Sequence, residues 1–185
     1  MDAQTWALTF GIAALVMLQP GGMTDRRVRE VYMQRAASLC CAPPVWLFGV
    51  VWQVLYILLT ANLVLFANNN TIQAACGNTY IAVFVIALVH LALAKIWLVY
   101  FNRMFARKGA SLGGLVLMTS LVFGTALALL ITEATCPESA DIWWAIAFFL
   151  GPYALWTFYA TILMGQFACT AADESAADDE DDKDK

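Results

Sequence analysis

Four runs of apolar residues, each long enough to cross a lipid bilayer, limit this chain more than any other feature. They cover residues 45–67, 80–101, 112–131 and 142–168; a spanning helix needs about 20 residues, roughly 17–25. A fifth run, residues 3–19, is shorter and is stopped by Pro20-Gly21-Gly22. Asp2 stands where a cleaved leader carries basic residues, so this run reads as a further span. Lipid offers no partner to backbone N–H and C=O groups, so each run must pair its own as a helix. Composition agrees with the membrane: 62% of residues are hydrophobic, 13% are charged, and mean hydropathy is +0.70. Soluble domains are about half apolar and a quarter charged. The expected fold is all-α, a polytopic membrane protein built as a five-transmembrane-helix bundle over residues 1–170.

The formal charge of −4 conceals two different regions. The final stretch "DESAADDEDDKDK" holds eight of the fourteen acids, and without it the chain carries eight Lys+Arg against six Asp+Glu. Residues 171–185 therefore read as a solvated, disordered acidic tail, since like charges in a block repel one another. The basic residues are also unevenly placed. Arg26, Arg27, Arg29 and Arg35 fall in one loop and Arg103, Arg107 and Lys108 in another, while "NNNTIQAACGNT" and "TEATCPESAD" have neither Lys nor Arg. By the positive-inside rule the arginine-bearing loops are cytoplasmic, with the N-terminus outside or lumenal and the C-terminus cytoplasmic.

Within the second span, Phe48, Trp52 and Tyr56 recur every four residues and share one helix face. Gln53 sits about one residue's rotation from Trp52, at the edge of that face. In the last span, Pro152 and Trp156 are four apart, with Tyr153 and Tyr159 three to either side of Trp156. Two aromatic faces with polar tips suit a flat, mostly apolar ligand. The alternative is an interfacial aromatic belt with ordinary core packing. Ser120, Gly124 and Ala128 form a small-residue face on the fourth span, suited to close packing inside the bundle or to a homodimer seam.

The string "PPVWLFGVVWQVLY", residues 43–56, resembles the second-helix motif of the TspO/MBR family, the translocator or tryptophan-rich sensory proteins. "PYALW" from Pro152 is similar to that family's fifth-helix motif, and "HLALAKIW" from His90 to its third. Gly49 stands where the family usually has proline and Gln53 where it has threonine. His90 replaces a glutamine and Ala94 an asparagine. The resemblance implies a cavity between helices 1, 2 and 5, roofed by the first loop, that takes a tetrapyrrole (porphyrin or haem) or a sterol. It assigns the lining to Trp52, Tyr56, Tyr153 and Trp156, with Trp97, and Gln53 as a polar handle at the edge.

His90 is the only histidine. It can bridge to a neighbouring helix by hydrogen bonds or ligate haem iron. Lys95 has no acid within the predicted spans; it can snorkel to the headgroups or meet a ligand carboxylate such as a porphyrin propionate. One histidine cannot build a multi-histidine metal site, Cys40-Cys41 lacks zinc-ligand spacing, and no glycine-rich phosphate loop is present. The few arginines suit anionic lipid headgroups rather than nucleic acid.

Three functions remain open at this point: a receptor or transporter of a tetrapyrrole or sterol-like ligand, a light-dependent porphyrin-degrading enzyme, and a structural or channel-type bundle. Cys76 and Cys136 fall in the two non-cytoplasmic loops and can form a disulfide there, or remain two small apolar thiols. With the sequon Asn69-Asn70-Thr71 in the same region, a disulfide favours the endoplasmic reticulum or plasma membrane over the mitochondrial outer membrane.

Overall fold

The computed structural model describes residues 25–39, 42–107 and 112–181. The predicted span at 3–19 and the pair Cys40-Cys41 lie outside the described residues. Among those described, every regular element is a helix. Four of the helices are long and apolar enough to cross a membrane.

Helix α1 (Arg26–Ala36) belongs to the first loop. The Asp25 side chain caps it by accepting from the Arg27 N–H at 2.8 Å. An exposed Arg26–Glu30 pair supports its outer face, while Val28 and Tyr32, four apart, are buried. The Tyr32 hydroxyl donates to the Pro43 carbonyl at 2.7 Å. Burial pushes this phenol well above its ordinary pKa, with Tyr159 adding to the effect, so it stays a donor. Arg35 donates to the Phe105 carbonyl at 3.1 Å, and its guanidinium lies 5.2 Å from the Phe105 ring centre. Together these contacts fasten α1 to the bundle.

Helix α2 (Val45–Ala67) starts after Pro43-Pro44, where proline's fixed φ suits an entry to a helix. Its buried stripe includes Phe48, Trp52, Leu55, Tyr56, Leu59, Leu63 and Phe66, the three-and-four spacing of one helix face. A short α3 (Asn70–Ala75) follows, capped by Asn69, whose side chain accepts from the Thr71 and Ile72 amides. The next spans are α4 (Gly77–Met104) and α5 (Gly113–Ala134). A 3-10 turn, Pro137–Ile142, leads to α6 (Trp143–Asp181). Helices pack in the order α2, α6, α5, α4. Val50, Val54, Ile57, Ile81, Val85 and Leu155 are exposed outward, the pattern of a bundle solvated by lipid.

The backbone of α6 is helical to Asp181, so it runs on into the acidic segment. Extending an existing helix avoids the nucleation cost, and the alanines in this stretch favour propagation. Gly124 on α5 is exposed, and a Cβ built there meets nothing within 4 Å among the described residues. The face of Ser120, Gly124 and Ala128 is therefore not a close intramolecular seam at Gly124. Finally, α5 extends past residue 131 and places Glu133 inside the helix, fully buried. Asn62 of α2 donates to both of its carboxylate oxygens at 2.9 Å.

Candidate functional site

Trp52 is the centre of an aromatic cluster drawn from α2, α4 and α6. Its ring stacks on Tyr56 at 5.6 Å, tilts toward Trp97 at 5.9 Å, and meets Tyr153 and Trp156 edge-on at 6.1 and 6.5 Å. Phe48 contacts Trp156 at 5.7 Å, and Trp156 contacts Tyr159 at 5.4 Å. Each such pair is worth about 0.5–1.5 kcal/mol beyond the area it buries. The four-residue spacing on α2 and the Pro-Tyr-x-x-Trp stretch on α6 aim these rings at one another. Trp52, Tyr56, Tyr153 and Trp156, with Trp97, are thus brought into one place.

The polar tips of the cluster are treated unequally. The Trp97 indole donates to Thr119 Oγ1 at 2.8 Å. Tyr153 meets His90 Nε2 at 2.8 Å, and His90 Nδ1 meets Thr125 Oγ1, also at 2.8 Å. Thr125 gives its single hydroxyl hydrogen back to a carbonyl of its own helix, Leu121 or Val122, at 3.0 Å. The two ring nitrogens of His90 thus each meet a hydroxyl, one as donor and the other as acceptor in the neutral imidazole. His90 joins α4 to α5 and α6, and neither nitrogen is left for iron in this arrangement. Trp156 differs from the others: its indole nitrogen is buried and has no hydrogen-bond partner among the described residues. An unmade bond of this kind costs about 1–3 kcal/mol.

Gln53, expected at the edge of the site, and Lys95, for which snorkelling or a ligand carboxylate was open, both lie outside the cluster. Gln53 is exposed, because the 100° turn per helical residue carries it off the Trp52 face. Lys95 is also exposed, while its neighbours Ala94 and Trp97 are buried. It is outside the cluster and on a surface from which its long stem can carry the ammonium toward the headgroups. Asn62 and Glu133 were not singled out by the sequence reading, because Glu133 reads as part of the outer loop "TEATCPESAD". Thr119 and Thr125 carry no sequence signal that separates them from other threonines in the spans.

Space around the cluster is divided. Phe48, Trp52, Trp97, Leu98, Phe101, Ala160 and Met164 line an apolar cavity of about 20 Å³, room for little more than one water. Outside it, a groove of about 510 Å³ runs between α2 and α6, with Leu47, Val51, Leu55, Pro152, Trp156 and Tyr159 along its walls. A larger groove, about 900 Å³, lies between α1 and the start of α2, beside Arg26, Arg29, Tyr32 and Trp46. Trp156 belongs both to the cluster and to the wall of the α2–α6 groove.

At the end of the bundle where α4 and α6 begin, Cys76 and Cys136 are joined as a disulfide with their Cα atoms 6.1 Å apart. Cys169 is a free, exposed thiol. The TspO/MBR family profile matches residues 7–169. No curated protein and no solved structure matches the chain. Family and apolar helices together make this an integral, multi-pass membrane protein.

Proposed function

The chain belongs to the TspO/MBR family, and from that premise we propose that it is a receptor or transporter for a flat apolar ligand. The ligand class is a tetrapyrrole, porphyrin or haem, or a sterol-like molecule, held against the aromatic faces of α2 and α6. The observation that carries the proposal is the buried Trp156 N–H without an acceptor among the described residues, on the wall shared by the cluster and the open groove. A ligand oxygen or nitrogen there would satisfy it. The ring faces of Trp52 and Trp156 would supply the stacking.

Entry has a cost that can be bounded. A cavity of about 20 Å³ cannot accept a macrocycle, so α2 and α6 must part along their groove. Parting them breaks the Trp52–Trp156 and Phe48–Trp156 contacts, together about 1–3 kcal/mol. Each 100 Å² of apolar ligand surface buried returns roughly 2.5 kcal/mol, so a flat macrocycle offsets the opening. In this reading the arginine-bearing loops face the cytoplasm, as does the acidic end. The Cys76–Cys136 bond lies in an oxidising lumen or outside the cell, which supports the endoplasmic reticulum or plasma membrane.

Titration of the full chain in detergent with protoporphyrin, followed by tryptophan quenching, tests the proposal. Quenching should saturate and be competed by a second porphyrin or a sterol. Quenching that rises linearly, as for a free tryptophan derivative in the same micelles, would refute it.

A further inference from the structure

Glu138 lies beside both sulfurs of the Cys76–Cys136 pair. Its Oε2 is 2.9 Å from Cys76 Sγ and 3.3 Å from Cys136 Sγ. A disulfide sulfur has no hydrogen to give, so an ionised carboxylate gains no hydrogen bond from either contact. Electron-rich atoms face one another. No Lys or Arg occurs in residues 68–79 or 132–141 to offset the charge, and the one ion pair among the described residues is Arg26–Glu30, in the first loop.

The three groups are held by separate elements. Cys76 occupies the N-cap position of α4, its side chain making no capping bond there, and the amides of a helix start favour a thiolate. Cys136, 1% exposed, closes the end of α5. Its carbonyl accepts from both the Ser139 amide, at 3.0 Å, and the Ser139 hydroxyl, at 2.7 Å. That turn fixes Glu138 beside the sulfurs. The two sulfurs and a carboxylate oxygen all lie within 4.8 Å of one another.

We propose that, once the disulfide is reduced, Cys76, Cys136 and Glu138 bind a borderline-soft divalent cation of the zinc class, leaving one coordination position to water. Two thiolates and a carboxylate are ligands such an ion accepts, and a water completes a tetrahedron. When the compartment around these loops turns reducing, a glutathione-type thiol supplies the electrons: two RSH become RSSR while the protein gains two thiols. The cation then displaces both thiol protons. With Zn–S near 2.3 Å, tetrahedral geometry sets the sulfurs roughly 3.8 Å apart, so the bonded and metal-bound states exclude each other. The loops that flank α3 and the 3-10 turn are tied covalently in one state and through the ion in the other. This site is separate from the aromatic cluster and does not depend on its ligand.

The test uses the full chain in detergent with Cys40, Cys41 and Cys169 replaced by serine, leaving only Cys76 and Cys136. Cobalt(II) is the probe, because thiolate ligation gives a near-ultraviolet charge-transfer band. The reduced chain should bind one Co²⁺ with that band, zinc should displace it, and the oxidised chain should show none. Loss of even an outer-shell partner weakens metal sites about 10–100-fold, so Glu138→Gln should weaken Co²⁺ binding by at least ~10-fold. The circular dichroism of the reduced chain is recorded first. If reduction lowers its helicity, zinc should restore it. No band in the reduced chain, an unchanged affinity in Glu138→Gln, or lost helicity that zinc does not restore would overturn the proposal.

Discussion

Tyr153 serves two neighbours at once: its ring packs against Trp52 and Tyr56, and its hydroxyl satisfies His90. Tyr153→Phe keeps the ring and strands the buried His90 Nε2, at a cost of about 1–3 kcal/mol. Thermal unfolding in detergent should show this loss, and His90→Leu in the same background should add little, because the stranded group is then gone. If the two losses add in full, the residues are not coupled. A second pair can be read in the same way. Asn62→Leu leaves the Glu133 carboxylate buried without a donor and should destabilise by about 1–3 kcal/mol or more. Glu133→Gln keeps an acceptor for Asn62 and removes the charge, so it should be tolerated far better. Equal losses in both variants would mean that the charge is solvated and the pair unimportant.

Among elements, α1 is tied to the spans partly by Arg35, through the Phe105 carbonyl and ring. A hydrogen bond from a charged donor is worth about 1.5–3 kcal/mol, so Arg35→Ala should speed amide exchange in residues 26–36 by about tenfold or more. Exchange within α2 and α4 should not change; an unaltered α1 would show that Tyr32 alone holds it. The spans themselves were legible because hydropathy over some 20 residues integrates many weak signals. The run at 45–67 has the bounds of α2, whereas α4 begins at Gly77 and ends at Met104, beyond the apolar run at both ends. Polar end residues such as Asn78 and Arg103 continue a helix without adding hydropathy. The aromatic meeting of α2 and α6 was legible from the four-residue spacing and from the family motifs. Gln53 was misplaced because a single residue's rotation separates the buried face from the exposed one. The roles of Glu133, Thr119 and Thr125 could not be read, since each depends on which helix lies opposite.

For the whole molecule, the arginine asymmetry and the cysteine positions define two sides that labelling can separate. An impermeant maleimide should reach Cys169 from the cytoplasmic face. After reduction it should reach Cys76 or Cys136 from the other face. Labelling of all three from one side would overturn the alternation of the four described spans. The central claim concerns the ligand, and it rests on Trp52 and Trp156 standing together where α2 meets α6. The most direct measurement is protoporphyrin affinity, read from the porphyrin's own absorption, for the unaltered chain and for Trp52→Phe with Trp156→Phe. Exchanging two indoles for smaller rings, at about 0.5–1.5 kcal/mol each, should weaken binding by about 5–150-fold, and thermal unfolding of the double variant shows whether it is folded. An affinity unchanged in the folded double variant would contradict the account.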